Sequence, residues 1–411
     1  MHRYLLLLSF LATLYSFSQP NTDIFLFDLS GENRSFELSN IKNISNNEGY
    51  DNQPSFLNNN TILYSGTRKG QTDIVKYTIP YDSKVYINLT EGSEYSPLKI
   101  PNQKAVSAIR LDKDGTQRLY RYSLRNGESE VLVDDIIIGY HVWYNADVLA
   151  SSVLENGSMS LYIINFKEMG NHKIEAKVGR SLHKIPNTNL VSYISKANDS
   201  LWNIKSLDPI SGKIKLITTT LSKSEDMCWL PNGTILMGKD DMLYSFIPSK
   251  DADWREVASL KEYGITNITR LAISPDGTKL ALVGEGGKTV DSETSNSTEN
   301  KAVSEAEKIV QTQLVAYNNR DIDAFMAAYT NDIKLYDYPE KLKSEGQKSM
   351  KESYSKFFKN TPDLHAFIKK RIVIGNKVID EEQVTINGKI YNAVAIYEAE
   401  NGKIKKVTFI Q

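Results

Sequence analysis

Two ionisable side chains near the C-terminus have types and positions that can do chemistry. In Ile333-Lys-Leu-Tyr-Asp-Tyr338, Asp337 shares strand parity with Ile333 and Leu335. A strand there turns one carboxylate towards the same face as two aliphatic side chains. Burial disfavours the charged form of such a carboxyl and makes it a base near neutral pH. His365 opens a later strand-like segment after Thr361-Pro-Asp363, and an imidazole brought opposite Asp337 makes an acid–base couple. Tyr317, Tyr391 and Tyr397 offer hydroxyl donors. Each has a plainer reading: a solvated strand-end carboxylate, a surface or satisfied core histidine, and tyrosines that pack. Five scattered histidines and one cysteine supply no metal-ligand cluster, so neither a metal nor a cofactor is expected. Asp112-x-Asp114-Gly115 lacks the remaining ligands of a calcium loop, and no Gly-x-Ser-x-Gly elbow occurs.

The elements that must position these residues lie in 302–411. Val303, Ala306, Ile309, Val310, Gln313, Leu314 and Tyr317 form one helical stripe, and Ser304 with Glu307 makes a capping box. Asp321 caps a second helix carrying Ile322, Phe325 and Met326. A third helix is expected over about 346–358. Strand-like segments follow at 364–374, 378–386, 390–398 and 404–410, with Asn387-Gly388 and Asn401-Gly402 as hairpin turns. Three helices followed by an antiparallel meander make an α+β, cone-shaped domain: a bent sheet wrapped on helices around a pocket.

The run from Gln313 through Tyr317, Arg320-Asp-Ile-Asp-Ala-Phe325 and Asp332, then Leu335-Tyr-Asp-Tyr338, Glu345-Gly346 and Gly402-Lys-Ile-Lys-Lys-Val407, resembles the SnoaL-like, nuclear-transport-factor-like superfamily. The resemblance spans nearly the whole domain and speaks for fold more than activity, since the superfamily holds isomerases, cyclases, dehydratases and binding modules. It implies that Asp337 stands where the ketosteroid isomerases keep their proton-shuttling carboxylate. It places Gln313 and Val394 at the oxyanion-hole positions; with Leu335 turned inward by strand parity and Tyr317 and Tyr391 as candidate donors, these make up the expected ligand pocket. Val394 donates no hydrogen bond. The superfamily often dimerises through this sheet, which implies a homodimer here.

Residues 21–285 are organised differently. A short apolar-aromatic strand recurs at Ile24, Ile74, Leu119, Leu161, Leu201 and Leu243, at intervals of 40 to 50 residues. Two further strands lie between successive members, as at Gln53–Leu57 and Thr61–Ser65, with turns such as Pro231-Asn-Gly233 and Pro275-Asp-Gly277. A period of this length with several strands per repeat reads as an all-β propeller of six blades. The chain opens on one recurrent strand and ends on an unpartnered pair, so the N-terminal strands should close the last blade. Asn52-Gln-Pro-Ser-Phe-Leu57, Thr72-Asp-Ile74, Asn88-Leu-Thr90 and Ile273-Ser-Pro-Asp-Gly-Thr-Lys-Leu280 resemble the repeat of TolB-like periplasmic propellers. That resemblance implies a ring that binds proteins or envelope components.

At the N-terminus, Met1-His-Arg3 and the apolar run from Tyr4 to Tyr15 read as a signal peptide over 1–18, too short for a membrane span. The expected destination is the periplasm or the cell exterior. Residues 286–301 are rich in Gly, Ser, Thr, Asn and Glu and read as a flexible linker. Lys plus Arg is 49 against 50 Asp plus Glu, which gives no electrostatic case for nucleic acid. Cys228 beside Trp229 reads as a small buried apolar residue. The expectation is an exported binding protein, with the propeller docking a protein or envelope partner and the C-terminal pocket holding a small apolar ligand. The alternatives are proton-transfer chemistry at Asp337 and a dimerising adaptor.

Overall fold

The computed structural model describes residues 20–31, 36–68, 70–88, 90–125, 127–286 and 304–410. The expected signal peptide and residues 287–301 of the expected linker lie outside them. Among the described residues no helix is long and apolar enough to cross a membrane.

Among the described residues, those between 22 and 286 form six four-stranded antiparallel sheets. Each sheet touches the next in sequence, and the last, built on Ile265–Ile273 and Lys279–Gly286, touches the first at Asn52–Asn58. The recurrent apolar-aromatic strands are the third of each sheet, buried on both faces: Ile24, Ile74, Leu119, Leu161 and Ile204 are fully enclosed and Leu243 nearly so. Asp23–Ser30 pairs with Lys279–Gly286 in the register Ile24 to Val283 and Phe27 to Leu280, so the first strand completes the last sheet, as the strand order requires. In the fifth repeat Leu201 itself is exposed and the strand is Asn203–Leu207.

Each sheet also has a fourth, outer strand that the repeat pattern did not contain: Glu37–Asn43, Ser83–Tyr86, Ser129–Val133, Gly170–Ala176, Ile214–Thr219 and Arg255–Ser259. These edge strands are polar and partly exposed. An outer edge needs charge and short length to discourage further pairing, which removes the apolar alternation that marks inner strands.

The C-terminal unit has three helices: α1 (Glu305–Asn319), α2 (Ile322–Ala327) and α3 (Gln347–Asn360). They pack on one six-stranded sheet in the order Lys341–Glu345, Tyr329–Asp337, Lys403–Ile410, Lys389–Glu400, Lys377–Ile386, His365–Ile374. The meander of the last four strands is as expected; its join to Tyr329–Asp337 is parallel. Ser304 Oγ accepts from Glu307 N at 3.1 Å and Asp321 Oδ1 from Ala324 N at 3.0 Å, capping α1 and α2. The core joining helices to sheet is aromatic. The Phe325 ring lies 4.7 Å from Tyr354 and 5.4 Å from Phe358, and Tyr317 lies 5.6 Å from Phe358. Tilted and edge-on pairs of this kind add to the burial of each ring.

The two parts touch. The Glu307 carboxylate, rather than closing a capping box, accepts the Tyr81 hydroxyl at 2.7 Å. Gln311 Nε2 donates to Ser83 Oγ at 3.4 Å, and the Arg371 guanidinium lies 5.6 Å from the Tyr81 ring centre.

Candidate functional site

A cavity of about 630 Å³ opens between α1, α3 and the concave face of the six-stranded sheet. Tyr317 on α1 and Met350, Tyr354 and Phe357 on α3 form one wall; Leu335, Val384, Ala393 and Phe409 on the sheet form the other. Lys343, Ser344, Ser349, Ser353, Tyr391 and Asn392 bring polar atoms or rims to it. The helical wall is fixed by the aromatic cluster described above, so the space is held open by rings that pack on one another.

One carboxyl lines this cavity: Glu382. In Lys377–Ile386 the side chains of Val378, Asp380, Glu382 and Val384 alternate onto the buried face. Asp380 is fully enclosed and held by a bidentate ion pair, with Arg371 Nε and Nη2 at 2.7 and 2.6 Å. The third arm of that guanidinium donates to Gln311 Oε1 at 2.9 Å. Glu382, 7 % exposed, has no such fork. Burial, reinforced by the Asp380 charge and opposed by Arg371, pushes its carboxyl up to about 7. Burial also holds the Tyr317 and Tyr354 phenols protonated, with the Glu382 charge adding to the effect. The cavity therefore combines apolar walls, a carboxyl that exchanges its proton near neutral pH and two hydroxyl donors.

Three of the expected pocket residues, Tyr317, Leu335 and Tyr391, line the cavity. Gln313 is buried deeper and does not line it; its Oε1 has no hydrogen-bond partner. Val394 is on the other side of the sheet. Ala393, Ala395 and Tyr397 take the inward parity of Lys389–Glu400, and a shift of one residue sends a side chain through the sheet. Val394 instead pairs with Glu381 and Ile410 on the outer face. Asp337 keeps the parity of Leu335 but sits past the cavity wall at the strand end, bonded to Lys343 Nζ at 3.2 Å and with a 39 % exposed side chain.

His365 does not meet Asp337. Their strands are four steps apart in the sheet, roughly 19 Å at the usual spacing between strands. His365 instead faces the seam with the ring of sheets, in a separate space shared with Lys76, Tyr81 and Arg371. Burial there, helped by the Lys76 and Arg320 charges, lowers its pKa to about 4. Sequence reasoning missed Glu382, although its signal was present: Val378-x-Asp380-x-Glu382-x-Val384 sets two carboxylates between two valines on one strand face.

Residues 310–407 match the SnoaL-like domain family. The C-terminal unit is SnoaL-like. An uncharacterised cystatin-fold protein from Novosphingobium aromaticivorans is similar to this SnoaL-like unit at 27 % identity, covering 26 % of this chain and 98 % of its own (TM-score 0.25). A protein assigned as a ketosteroid isomerase from Kribbella flavida is similar at 16 % identity over 26 % of this chain and 76 % of its own (TM-score 0.23). The ring of sheets is similar to a protein assigned as TolB from Agrobacterium tumefaciens, at 10 % identity over 64 % of this chain and 98 % of that one, with a TM-score of 0.51. The N-terminal part thus has the fold of a TolB-like propeller. A search of curated proteins found no match.

Proposed function

We propose that the chain is an exported binding protein in which a closed six-bladed propeller over 21–285 docks a protein or envelope component and carries a SnoaL-like domain over 302–411. The cavity of that domain takes a small, largely apolar ligand with one polar group, which hydrogen-bonds to Glu382. The observation that carries this reading is the cavity itself: about 630 Å³ walled by Tyr317, Tyr354, Phe357, Leu335 and Phe409 around a single buried carboxyl. Apolar walls with a few placed polar groups are the common form of small-molecule sites. The TolB-like fold supports the docking role of the ring and a periplasmic setting. Native mass spectrometry of the whole chain tests the ligand reading. A retained small molecule that Glu382→Gln or Tyr354→Phe weakens supports it; a protein carrying nothing, whose melting is unmoved by a panel of steroids and polyketides, removes it.

One observation favours a second reading. A carboxyl with a pKa near 7 beside two protonated phenols suits proton abstraction from a carbon acid, with Tyr317 or Tyr354 stabilising the oxyanion. Glu382, rather than the half-buried Asp337, then carries the proton. Exchange of substrate protons with solvent deuterium, lost in Glu382→Gln and kept in Asp337→Asn, is the result this reading requires.

The outer face of the sheet supports the homodimer reading. Ile372, Ile379, Val394, Ile396 and Ile410 cluster there by register, with Ile372 and Ile410 42 and 39 % exposed. Light scattering on the wild type and on Ile396→Lys tests it: a monomeric wild type ends the reading.

A further inference from the structure

The ring has a second site that the SnoaL-like cavity does not explain. A wide space of about 990 Å³ and a narrower one of about 280 Å³ are both bounded by Gln53, Tyr140 and Arg180, so they meet at those residues. At the junction Arg180 from one sheet and Arg270 from another converge on Asp226, 8 % exposed, just ahead of Met227–Trp229. Arg180 grips it with Nε at 3.0 Å from Oδ1 and a terminal nitrogen on Oδ2; Arg270 Nη1 is 2.9 Å from Oδ1. Arg270 Nη2 is also 3.4 Å from the Tyr140 hydroxyl.

The charges here do not cancel. The carboxylates lining the wide space have lysines of their own: Glu155 with Lys173, Asp199 with Lys177 at 3.4 Å, Glu225 with Lys196 at 2.7 Å. Glu225 lies farther from Arg180 Nε, at 3.6 Å. With Lys196 matched to Glu225, the two guanidiniums share one further carboxylate, Asp226, and Lys184, bonded to the Tyr144 carbonyl, also lines the narrow space, so cations outnumber carboxylates at the junction. Arg270 and Gln53 also sit at backbone irregularities that recur in the first strands of the ring. Arg270 has φ of +45° at an interruption of the ladder between Thr269 and Leu271, and Gln53 has φ of +57° at the corresponding interruption of the first inner strand. Bulges re-aim side chains, and a left-handed non-glycine residue persists only where its surroundings hold it.

The narrow space contains an unused donor as well. Ser107 Oγ accepts from Trp143 Nε1 at 2.8 Å and its nearest acceptor is His141 Nε2 at 2.7 Å, against 3.4 Å for the Leu98 carbonyl. That arrangement leaves the imidazole proton on Nδ1, which is buried without a partner, in a side chain that lines the narrow space and is 4 % exposed.

We propose that the ring binds the free carboxyl terminus of a peptide, whose terminal carboxylate docks on Arg180 and Arg270 while the preceding residues lie against Tyr50, Tyr95 and Trp202 in the wide space. A chain end fits this position because a mid-chain acidic side chain has to bring a folded-back loop to the junction of two cavities, whereas a terminus enters as one strand. The carboxylate supplies the missing negative charge through charge-assisted hydrogen bonds. This narrows the partner-docking reading of the propeller and rests on it.

The test uses the whole chain and a pool of random octapeptides made in parallel as free acids and as C-terminal amides. Retention of peptide is measured by ultrafiltration and mass spectrometry. Free acids should be retained about ten-fold better than amides, the scale of one charge-assisted contact. Arg270→Gln, which leaves Asp226 its Arg180 partner, should abolish that preference. Asp226→Asn, which adds to the positive excess, should enlarge it. Equal retention of acids and amides leaves the ring a peptide binder and overturns the carboxylate inference. Retention of neither overturns both for peptides, and binding of glucuronate in their place overturns the peptide assignment. Variants that lower the melting temperature while the acid-to-amide ratio stays put assign the Arg–Asp–Arg cluster to structure alone.

Discussion

Asp380 and Glu382 stand two residues apart on the same buried strand face, and Arg371 grips only Asp380. The fork leaves one carboxylate fully compensated and the next raised to about 7. The same strand thus carries one ion-paired carboxyl and one whose pKa burial raises.

Glu382 makes stability fall as pH rises. Below the ordinary carboxyl value of 4.5 both the folded and the unfolded chain hold its proton, and it contributes no difference. Between 4.5 and about 7 the unfolded chain releases the proton while the folded chain keeps it, and above 7 the folded chain bears a buried charge. The cost at alkaline pH is on the order of 3 kcal/mol. Glu382→Gln should therefore melt higher than wild type above pH 7 and level with it under acid conditions. A variant that melts lower at both ends contradicts this account.

His365 acts in the opposite sense. Its pKa falls from 6.5 to about 4 in the seam between the two units, so the unfolded chain binds the extra proton first. Stability is full above 6.5 and is lost as pH falls towards 4, with Lys76 and Arg320 opposing the new charge. The loss is at most about 3 kcal/mol and less to the extent that water reaches the half-buried ring. Hydrogen exchange in Ser83–Tyr86 and α1 should accelerate over that interval, and His365→Gln should flatten the dependence.

Removing Arg371 strips the fully enclosed Asp380 of its ion-pair partner. Arg371→Met should cost about 3–5 kcal/mol, and adding Asp380→Asn should recover much of it. Denaturant unfolding of the two single variants and the double gives the coupling; additive losses are the result that excludes the pair as a unit.

Phe27 is fully enclosed on the strand that completes the last sheet, with its ring 5.7 Å from Tyr263. Phe27→Ala should cost about 3–5 kcal/mol. Because that strand closes the ring, exchange should speed up in all six sheets and not in the last alone.

Fold was legible where burial leaves a pattern. The doubly buried third strands repeat visibly, and the Asn-Gly turns fix the C-terminal meander. The outer strands were not legible, because a polar edge shows no alternation. Of the expected pocket residues, Tyr317, Leu335 and Tyr391 line the candidate cavity. Val394 lies one residue of register away, on the outer face. Asp337 had the right parity at the wrong depth, since parity tells which face a side chain takes and not how far along the strand the cavity extends. His365 was drawn away by a contact between units that no local pattern encodes. Glu382 was overlooked because charge in a strand reads as solvent exposure until its neighbours on the same face are counted.

The closing strand also bears on synthesis. Lys279 reaches Asp28 across 251 positions of chain, whereas the other five sheets are each built from one continuous stretch. A growing chain can assemble those five in order behind the ribosome, but the strands Asp23–Ser30 and Glu37–Asn43 have no sheet to join until Gly286 has been made. During that interval the earliest-made strands present open edges, and a chain truncated before Gly286 is left with them permanently.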